Sequence, residues 1–156
     1  MERKIFISSD HRGFEKKEEI KSSWTSVFGD LLRAPFPIDL GPKAYIPTDD
    51  FTESAKEVAK AVLENENSLG ILLCGTGSGV CMAANRFKGI RAAVAWTPEI
   101  AKLAIEHNHA NTLCLPSDFL SKEEIFLIIK SFLESTPNPD EKYLRRNISM
   151  DKMEEI

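Results

Sequence analysis

A chain of 156 residues, 42% hydrophobic and 28% charged, has the size and composition of one globular domain and excludes a disordered or collagen-like polypeptide. Twenty Lys and Arg against 24 Asp and Glu leave a net charge of −4, which argues against a general nucleic-acid binder while leaving room for a local basic pocket. Three cysteines (Cys74, Cys81, Cys114) with no CxxC pair argue against a disulfide scaffold or zinc ribbon and suit a reducing cytoplasm, and the longest apolar runs fall far short of the ~20 residues that span a membrane.

In chain order, Met1-Glu2-Arg3-Lys4 leads straight into strand-like Lys4–Ser9, too abruptly for the apolar region of a secretion signal. Phe14, Ile20, Trp24 and Phe28 mark a first amphipathic helix. Leu31–Asp49 holds four of the eight prolines and reads as a long irregular loop around a short strand ending at Ile38–Leu40. Ala55, Val58, Ala59 and Val62 recur at the spacing of a buried helical stripe. Leu69–Cys74 is a continuous apolar run, as in a central strand buried on both faces, and a glycine loop and helix-compatible Val80–Arg86 follow it.

Strands at Arg91–Trp96 and Asn111–Leu115 bracket a helix that Thr97 caps and Pro98 opens, with Ile100, Leu103, Ala104 and His107 on one face. Ser121-Lys122-Glu123-Glu124 is a capping box ahead of Ile125, Ile128, Ile129 and Phe132. Ser135–Pro139 then breaks the chain before a charged tail, Asp140–Ile156. The alternation predicts a three-layer α/β/α sandwich around a Rossmann-like five-stranded parallel sheet, as one domain over 1–156.

Closely spaced glycines in Gly75-Thr76-Gly77-Ser78-Gly79 let the backbone turn its N–H groups onto an anion at a helix start. The GxGxG spacing fits neither the dinucleotide fingerprint nor a phosphate-binding loop ending in Gly-Lys-Ser/Thr, and a plain strand–helix turn is the competing reading. Cys74 stands at the mouth of this loop, where amides and helix dipole favour a thiolate able to act as a base. Alternatively it is a small buried hydrophobe, as Cys81 and Cys114 are expected to be. Asp10 and His11 follow the first strand and share the carboxyl edge of the sheet with Cys74; Asp10 also suits the cap of the next helix. His107 reads either as a hydrogen-bonded core histidine or as a site residue, and a His107–His109 metal pair lacks a third ligand. Lys142 and Arg146, four apart, project together on a helix and suit a phosphate clamp, with Arg145 as competitor; a solvated charged face is the plainer reading.

Asp10-His11-Arg12-Gly13-Phe14, Asp50-Phe51, Cys74-Gly75-Thr76-Gly77-Ser78-Gly79, Ala83-Ala84-Asn85-Arg86, Gly89-Ile90-Arg91-Ala92 and Glu106-His107-Asn108 together resemble the type B ribose-5-phosphate isomerases, a family that includes the galactose-6-phosphate isomerase subunits. The resemblance runs along nearly the whole chain in order. It implies aldose–ketose isomerisation of a phosphorylated sugar through an enediolate, in carbohydrate metabolism such as the pentose phosphate pathway, with no metal or organic cofactor. It implies that Cys74 is the base, that Thr76 and the amides of Gly75, Gly77, Ser78 and Gly79 hold the oxyanion, and that His107, oriented by Asp10, opens the sugar ring. Asn108 is implied to bind sugar hydroxyls, His11 and Arg146 to contact phosphate, and Asp50 to line the substrate site. Lys142 stands where the family commonly has an arginine. Thr52, Trp96-Thr97, Asp118 in place of the arginine of a Gly-x-Arg pattern, and the long Leu31–Asp49 loop also depart from the family.

Asp10 and Cys74 are expected at the carboxyl ends of strands, whereas His107 and Asn108 close a helix that leads into a strand's beginning. Strands of about six residues hold those edges ~20 Å apart, too far for proton transfer. One site containing all four therefore predicts a homodimer with two shared pockets, the 140–156 tail packing on the partner, and dimers free to pair into tetramers. A noncatalytic phosphosugar-binding module is the alternative of a different class. A nucleotide-binding domain is a third, disfavoured by the GxGxG spacing and by the lack of an evident ribose-binding acid, Asp39 being the one candidate.

Overall fold

The computed structural model describes residues 3–29 and 34–155; Met1, Glu2, the start of the proline-rich loop at 30–33, and Ile156 lie outside the described residues. Five strands, β1 (Ile5–Ser9), β2 (Ile38–Asp39), β3 (Leu69–Cys74), β4 (Ala92–Val94) and β5 (Thr112–Pro116), form one sheet in the order β2-β1-β3-β5-β4, every pair parallel. The three inner strands are buried along their whole length, which is why Leu69–Cys74 reads as a continuous apolar run, although β1 and β5 also bury Ser8, Ser9 and Thr112. β4 is an edge strand three residues long, shorter than the Arg91–Trp96 expected, because its ladder runs only against β5.

The described residues form six α-helices, α1 (Phe14–Trp24), α2 (Phe51–Glu64), α3 (Ser78–Ala84), α4 (Pro98–Asn108), α5 (Lys122–Glu134) and α6 (Glu141–Asp151), the first five against the sheet and the last against α4. One core lies between the sheet and α1, α4 and α5, centred on Trp24, Leu113, Ile128 and Phe132. The other lies beneath α2 and α3, where Phe6, Val58, Leu72 and Val80 meet. Two caps read from sequence are in place: the Thr97 side chain accepts from the Ile100 amide at 3.2 Å, and Ser121 and Glu124 satisfy each other's amides. Each such cap stabilises its helix by ~1 kcal/mol. Asp10 is not the cap of α1, whose first turn is entered from Gly13 with no side-chain bond.

The first helix departs from expectation. After Trp24 it widens into a π-helical turn, Thr25–Gly29, and Trp24 and Phe28 both stay buried, their rings 4.6 Å apart. Its buried face also includes Lys17, fully enclosed, which donates to the Asp39 carboxylate at 2.9 Å and the Pro42 carbonyl at 2.8 Å. Burial pushes the Asp39 carboxyl up, but hydrogen bonds from Lys21 and Lys17 outweigh it and hold the group below its ordinary range. This network fastens the proline-rich loop to α1. It also engages with three lysines, Lys17, Lys21 and Lys43, the acid that a nucleotide-binding reading required.

From β1 the chain passes outward to β2, then crosses back to β3 on the other side of β1. The loops leaving β1 and β3 therefore diverge and open a crevice at their carboxyl ends. Gly13, at the start of α1, packs against the end of β3: a methyl there would lie 2.7 Å from the Leu73 carbonyl oxygen. Gly13→Ala is expected to cost about 1–3 kcal/mol by overpacking this junction, measured as a lower denaturation midpoint with an unchanged slope.

Candidate active site

Asp10 is the first residue beyond β1, and its amide donates to the Leu73 carbonyl at 3.2 Å, fastening the loop to the end of β3. Its Oδ1 accepts from the amides of Arg12 and Gly13 at 3.0 and 3.1 Å, so the carboxylate folds the turn into α1. Asp10 is buried, and burial pushes its carboxyl above the ordinary range against the pull of the Gly13 amide and the His11 charge.

His11 is held by Asp49, whose Oδ1 lies 2.8 Å from the His11 amide and 2.9 Å from Nδ1. That side-chain bond outweighs burial and raises the imidazole above its ordinary 6.5. Asp50, the neighbour singled out from sequence, is exposed at the start of α2 with no capping bond from its side chain. His11 is expected to titrate above 6.5 by NMR and to fall in Asp49→Asn. With the folded pKa raised, the stability from this pair is complete below the unfolded value and is lost as pH rises through the folded one.

The glycine loop is built where the sequence puts it. Gly77 has φ +73°, a left-handed conformation that strains any side chain. Thr76 is exposed, its Oγ1 accepting from the Ser78 amide at 3.3 Å, and the ring of Phe51 lies against Gly79, where a methyl would sit 3.1 Å from ring carbons. The loop after β5 is fastened to the root of this one: the Ser117 amide donates to the Cys74 carbonyl at 2.9 Å and the Asp118 amide to that of Gly75 at 3.1 Å. Cys74 ends β3 with 4% of its surface open, beside Phe6, Leu72 and Val80. Cys114 is fully buried, and burial drives its thiol well above the ordinary range. Cys81 is not the core residue expected: it is half-buried on α3, and a hydrogen bond from the Cys114 thiol holds its own thiol down.

His107, Asn108, Lys142 and Arg146 lie at the other end of the molecule. The buried stripe of α4 is Ala101, Ala104 and Ile105, with Ile100 exposed, so His107 is not in the core. It is half-buried and stacks on Tyr143 of α6, ring centroids 4.4 Å apart and planes within 9°. Buried Asn147 donates to the His107 carbonyl at 3.0 Å. The tail helix thus docks on the end of α4 within its own chain. Lys142 and Arg146 are exposed one turn apart, and the Lys142 ammonium lies 4.8 Å over the Tyr143 ring. A cleft of about 460 Å³ opens beside Asn108, walled by Asn85, Arg91, Ala93, Met150 and Met153.

The candidate residues therefore divide. Asp10, His11, Cys74 and the glycine loop gather at the carboxyl edge of β1 and β3, while His107 and Asn108 lie at the amino edge, roughly 20 Å away along the strands. Sequence reading passed over Asp49, Tyr143 and Asn147, which position histidines, and the ion pair between Arg12 and Asp118 that links the loops after β1 and β5. The signal for Tyr143 and Asn147 was their own spacing, four apart on one face of a tail helix.

Residues 5–150 match the family model described as Ribose/Galactose Isomerase. A probable ribose-5-phosphate isomerase B of Mycoplasma pneumoniae is 44% identical over 136 residues, covering 86% of this chain and 85% of its own. The ribose-5-phosphate isomerase B of Escherichia coli is 38% identical over 131 residues, 84% of this chain and 83% of its own. The crystal structure of the Mycoplasma genitalium ribose-5-phosphate isomerase B with bound ribulose-5-phosphate superposes with a TM-score of 0.89 at 37% identity, covering 99% of this chain and 98% of that one.

Proposed function

The chain belongs to the ribose/galactose isomerase family, and from that premise we propose that it interconverts the aldose and ketose forms of a phosphorylated sugar, ribose 5-phosphate and ribulose 5-phosphate first among them. The observation that carries this reading is the meeting of Asp10, His11, Cys74 and the glycine loop in the crevice between β1 and β3, in a chain similar to an enzyme crystallised with ribulose-5-phosphate.

In the reaction, the Cys74 thiolate takes the C2 hydrogen of the open-chain aldose as a proton. The C–H electron pair becomes the C1–C2 double bond, and the carbonyl electrons move onto O1. Thr76 and the loop amides hold the resulting oxyanion, a stabilisation of roughly 3 kcal/mol per well-placed donor. Returning the proton to C1 while the O2 proton passes to O1 and C2–O2 becomes the carbonyl yields the ketose, so no redox partner enters the balance. His107 opens the ring, Asn108 and Asp50 bind hydroxyls, and His11, Lys142 and Arg146 face the phosphate.

Because the two groups of residues stand about 20 Å apart in one chain, the active unit is a homodimer in which His107 and Asn108 of each subunit complete the other's pocket. The tail travels with His107, its inner face on α4 and its outer face offering exposed Leu144 and Ile148 to the partner. Three free cysteines, one of them the base, suit the reducing cytoplasm. The test is a panel of tetrose, pentose and hexose phosphates assayed for isomerisation. Turnover of ribose 5-phosphate supports the reading, whereas a raised melting temperature without turnover of any sugar leaves a binding module instead.

A further inference from the structure

Within one chain the carboxyl edge offers the substrate just proposed few cations besides His11, since Lys142 and Arg146 reach the pocket only from the partner. The neighbouring cleft of about 290 Å³, which adjoins His11 only through Asp49, has four acids in its wall, Asp49, Asp50, Glu53 and Glu57, beside uncharged Leu40, Pro42, Thr48 and Ser54, and the loop after β5 adds Asp118. Along the three loops leaving β1, β3 and β5 (10–13, 75–77 and 117–121), Arg12 is the single Lys or Arg. A phosphate monoester carries roughly −1.5 to −2 charges near neutral pH, so it settles among these acids only where a cation meets it.

Arg12 is placed for that. Its guanidinium lies over Gly75, where an added methyl would collide with it, so the absence of a side chain at 75 makes its berth. Asp118 pairs with one terminal nitrogen, and the Asp118 amide is itself fastened to the Gly75 carbonyl, which fixes the carboxylate that aims the guanidinium. The Arg12 side chain stays 51% exposed. Of five N–H donors in a planar fork, the pair with Asp118 leaves others for a second anion, and that fork matches a phosphate. Gly75 directly follows Cys74, so the charge stands one residue from the proposed base.

We propose that Arg12 is a substrate-binding residue, a guanidinium aimed by Asp118 across Gly75 to take the sugar's phosphate, and so a determinant of specificity for phosphorylated sugars. The proposal rests on the isomerase reading and extends it: the acid at 118, where the family pattern has an arginine, is the arm that holds an arginine supplied by the neighbouring loop.

The test compares wild type, Arg12→Ala, Arg12→Lys and the double variant Arg12→Ala/Asp118→Ala, using ribose 5-phosphate for turnover, inorganic phosphate as competitive inhibitor, and melting curves with and without phosphate. Arg12→Ala is expected to raise KM and the phosphate inhibition constant together by about tenfold or more, with kcat changed less than about threefold. Arg12→Lys falls between, since it keeps the charge and loses the fork, and the double variant is no better than the single. Recovery of wild-type KM and phosphate inhibition in the double variant would make Arg12 a mere counter-charge for Asp118 and overturn the proposal. So would a lower melting temperature in Arg12→Ala with phosphate affinity intact. If wild type isomerises no sugar phosphate, yet phosphate protects it and not Arg12→Ala from melting, the activity fails while the anion site stands. If wild type turns over and Arg12→Ala binds phosphate equally well, the site alone fails.

Discussion

Cys74→Ala is expected to lower kcat for ribose 5-phosphate by about 10²–10⁴-fold, the contribution of a well-placed general base. The same variant should abolish incorporation of solvent deuterium into the carbon-bound positions of substrate and product. The two readouts separate the roles of the residue. Ring opening and phosphate binding do not need the sulfur, so KM should move little while carbon–hydrogen exchange stops. Folding is not the confounder. Cys74 packs beside Phe6, Leu72 and Val80 with 4% of its surface open, and trimming one sulfur from such a site leaves a cavity smaller than a Leu→Ala change, which costs about 2–5 kcal/mol. Cys74→Ser, closer in size and with a hydroxyl in place of the thiol, should fold and remain inactive. Deuterium exchange at wild-type rates in Cys74→Ala would remove the sulfur from the mechanism.

How much of this was legible in the sequence depends on the range of the interaction. The β3 run Leu69–Cys74 and the caps at Thr97 and Ser121 are local matters of periodicity and hydrogen bonding, and the structure has them at the expected residues. Asp10, Cys74 and the glycine loop fall together because a parallel sheet collects the carboxyl ends of its strands on one edge. Strand order was not legible: that β5 lies between β3 and β4 follows from the return of α4 across the sheet, which no spacing in the chain records. Long-range polar pairs were equally silent. Lys17 carries no local sign of burial, and it is enclosed only by Asp39 and the Pro42 carbonyl, more than 20 residues on. Arg12 enters the sequence only as part of the Asp10-His11-Arg12-Gly13-Phe14 motif, and nothing local pairs it with Asp118, which meets it from the far side of the glycine loop. His107 was placed on an apolar face by counting from Ile100, but the helix is rotated so that Ala101, Ala104 and Ile105 are buried, and His107 turns instead to Tyr143.

That rotation bears on the second large effect, recovery of activity by mixing two dead proteins. Cys74→Ala and His107→Ala should each be nearly inactive as homodimers. Unfolded together in equal amounts and refolded, half of the dimers pair one chain of each kind. In such a dimer one pocket combines both substitutions and the other joins an intact Cys74 to an intact His107, so one site in four overall is whole. Activity should return to about a quarter of wild type. The geometry leaves little room for another outcome if all four groups serve one site. Cys74 and His107 of a single chain are divided by the length of β3, six residues or about 20 Å, and proton transfer needs contact near 3 Å. His107 is also not free to swing, because Tyr143 stacks on its ring and Asn147 holds its carbonyl at 3.0 Å. Tyr143→Ala should therefore lower activity in the subunit pair by loosening that ring, and when it is placed on the Cys74→Ala chain, the recovered quarter should shrink. Placed on the His107→Ala chain it should leave the recovery unchanged, since that chain's tail helix then serves only the pocket that is already dead. A mixture that recovers nothing, with exchange of chains verified by a size tag, would break the shared-pocket arrangement and require His107 to act elsewhere.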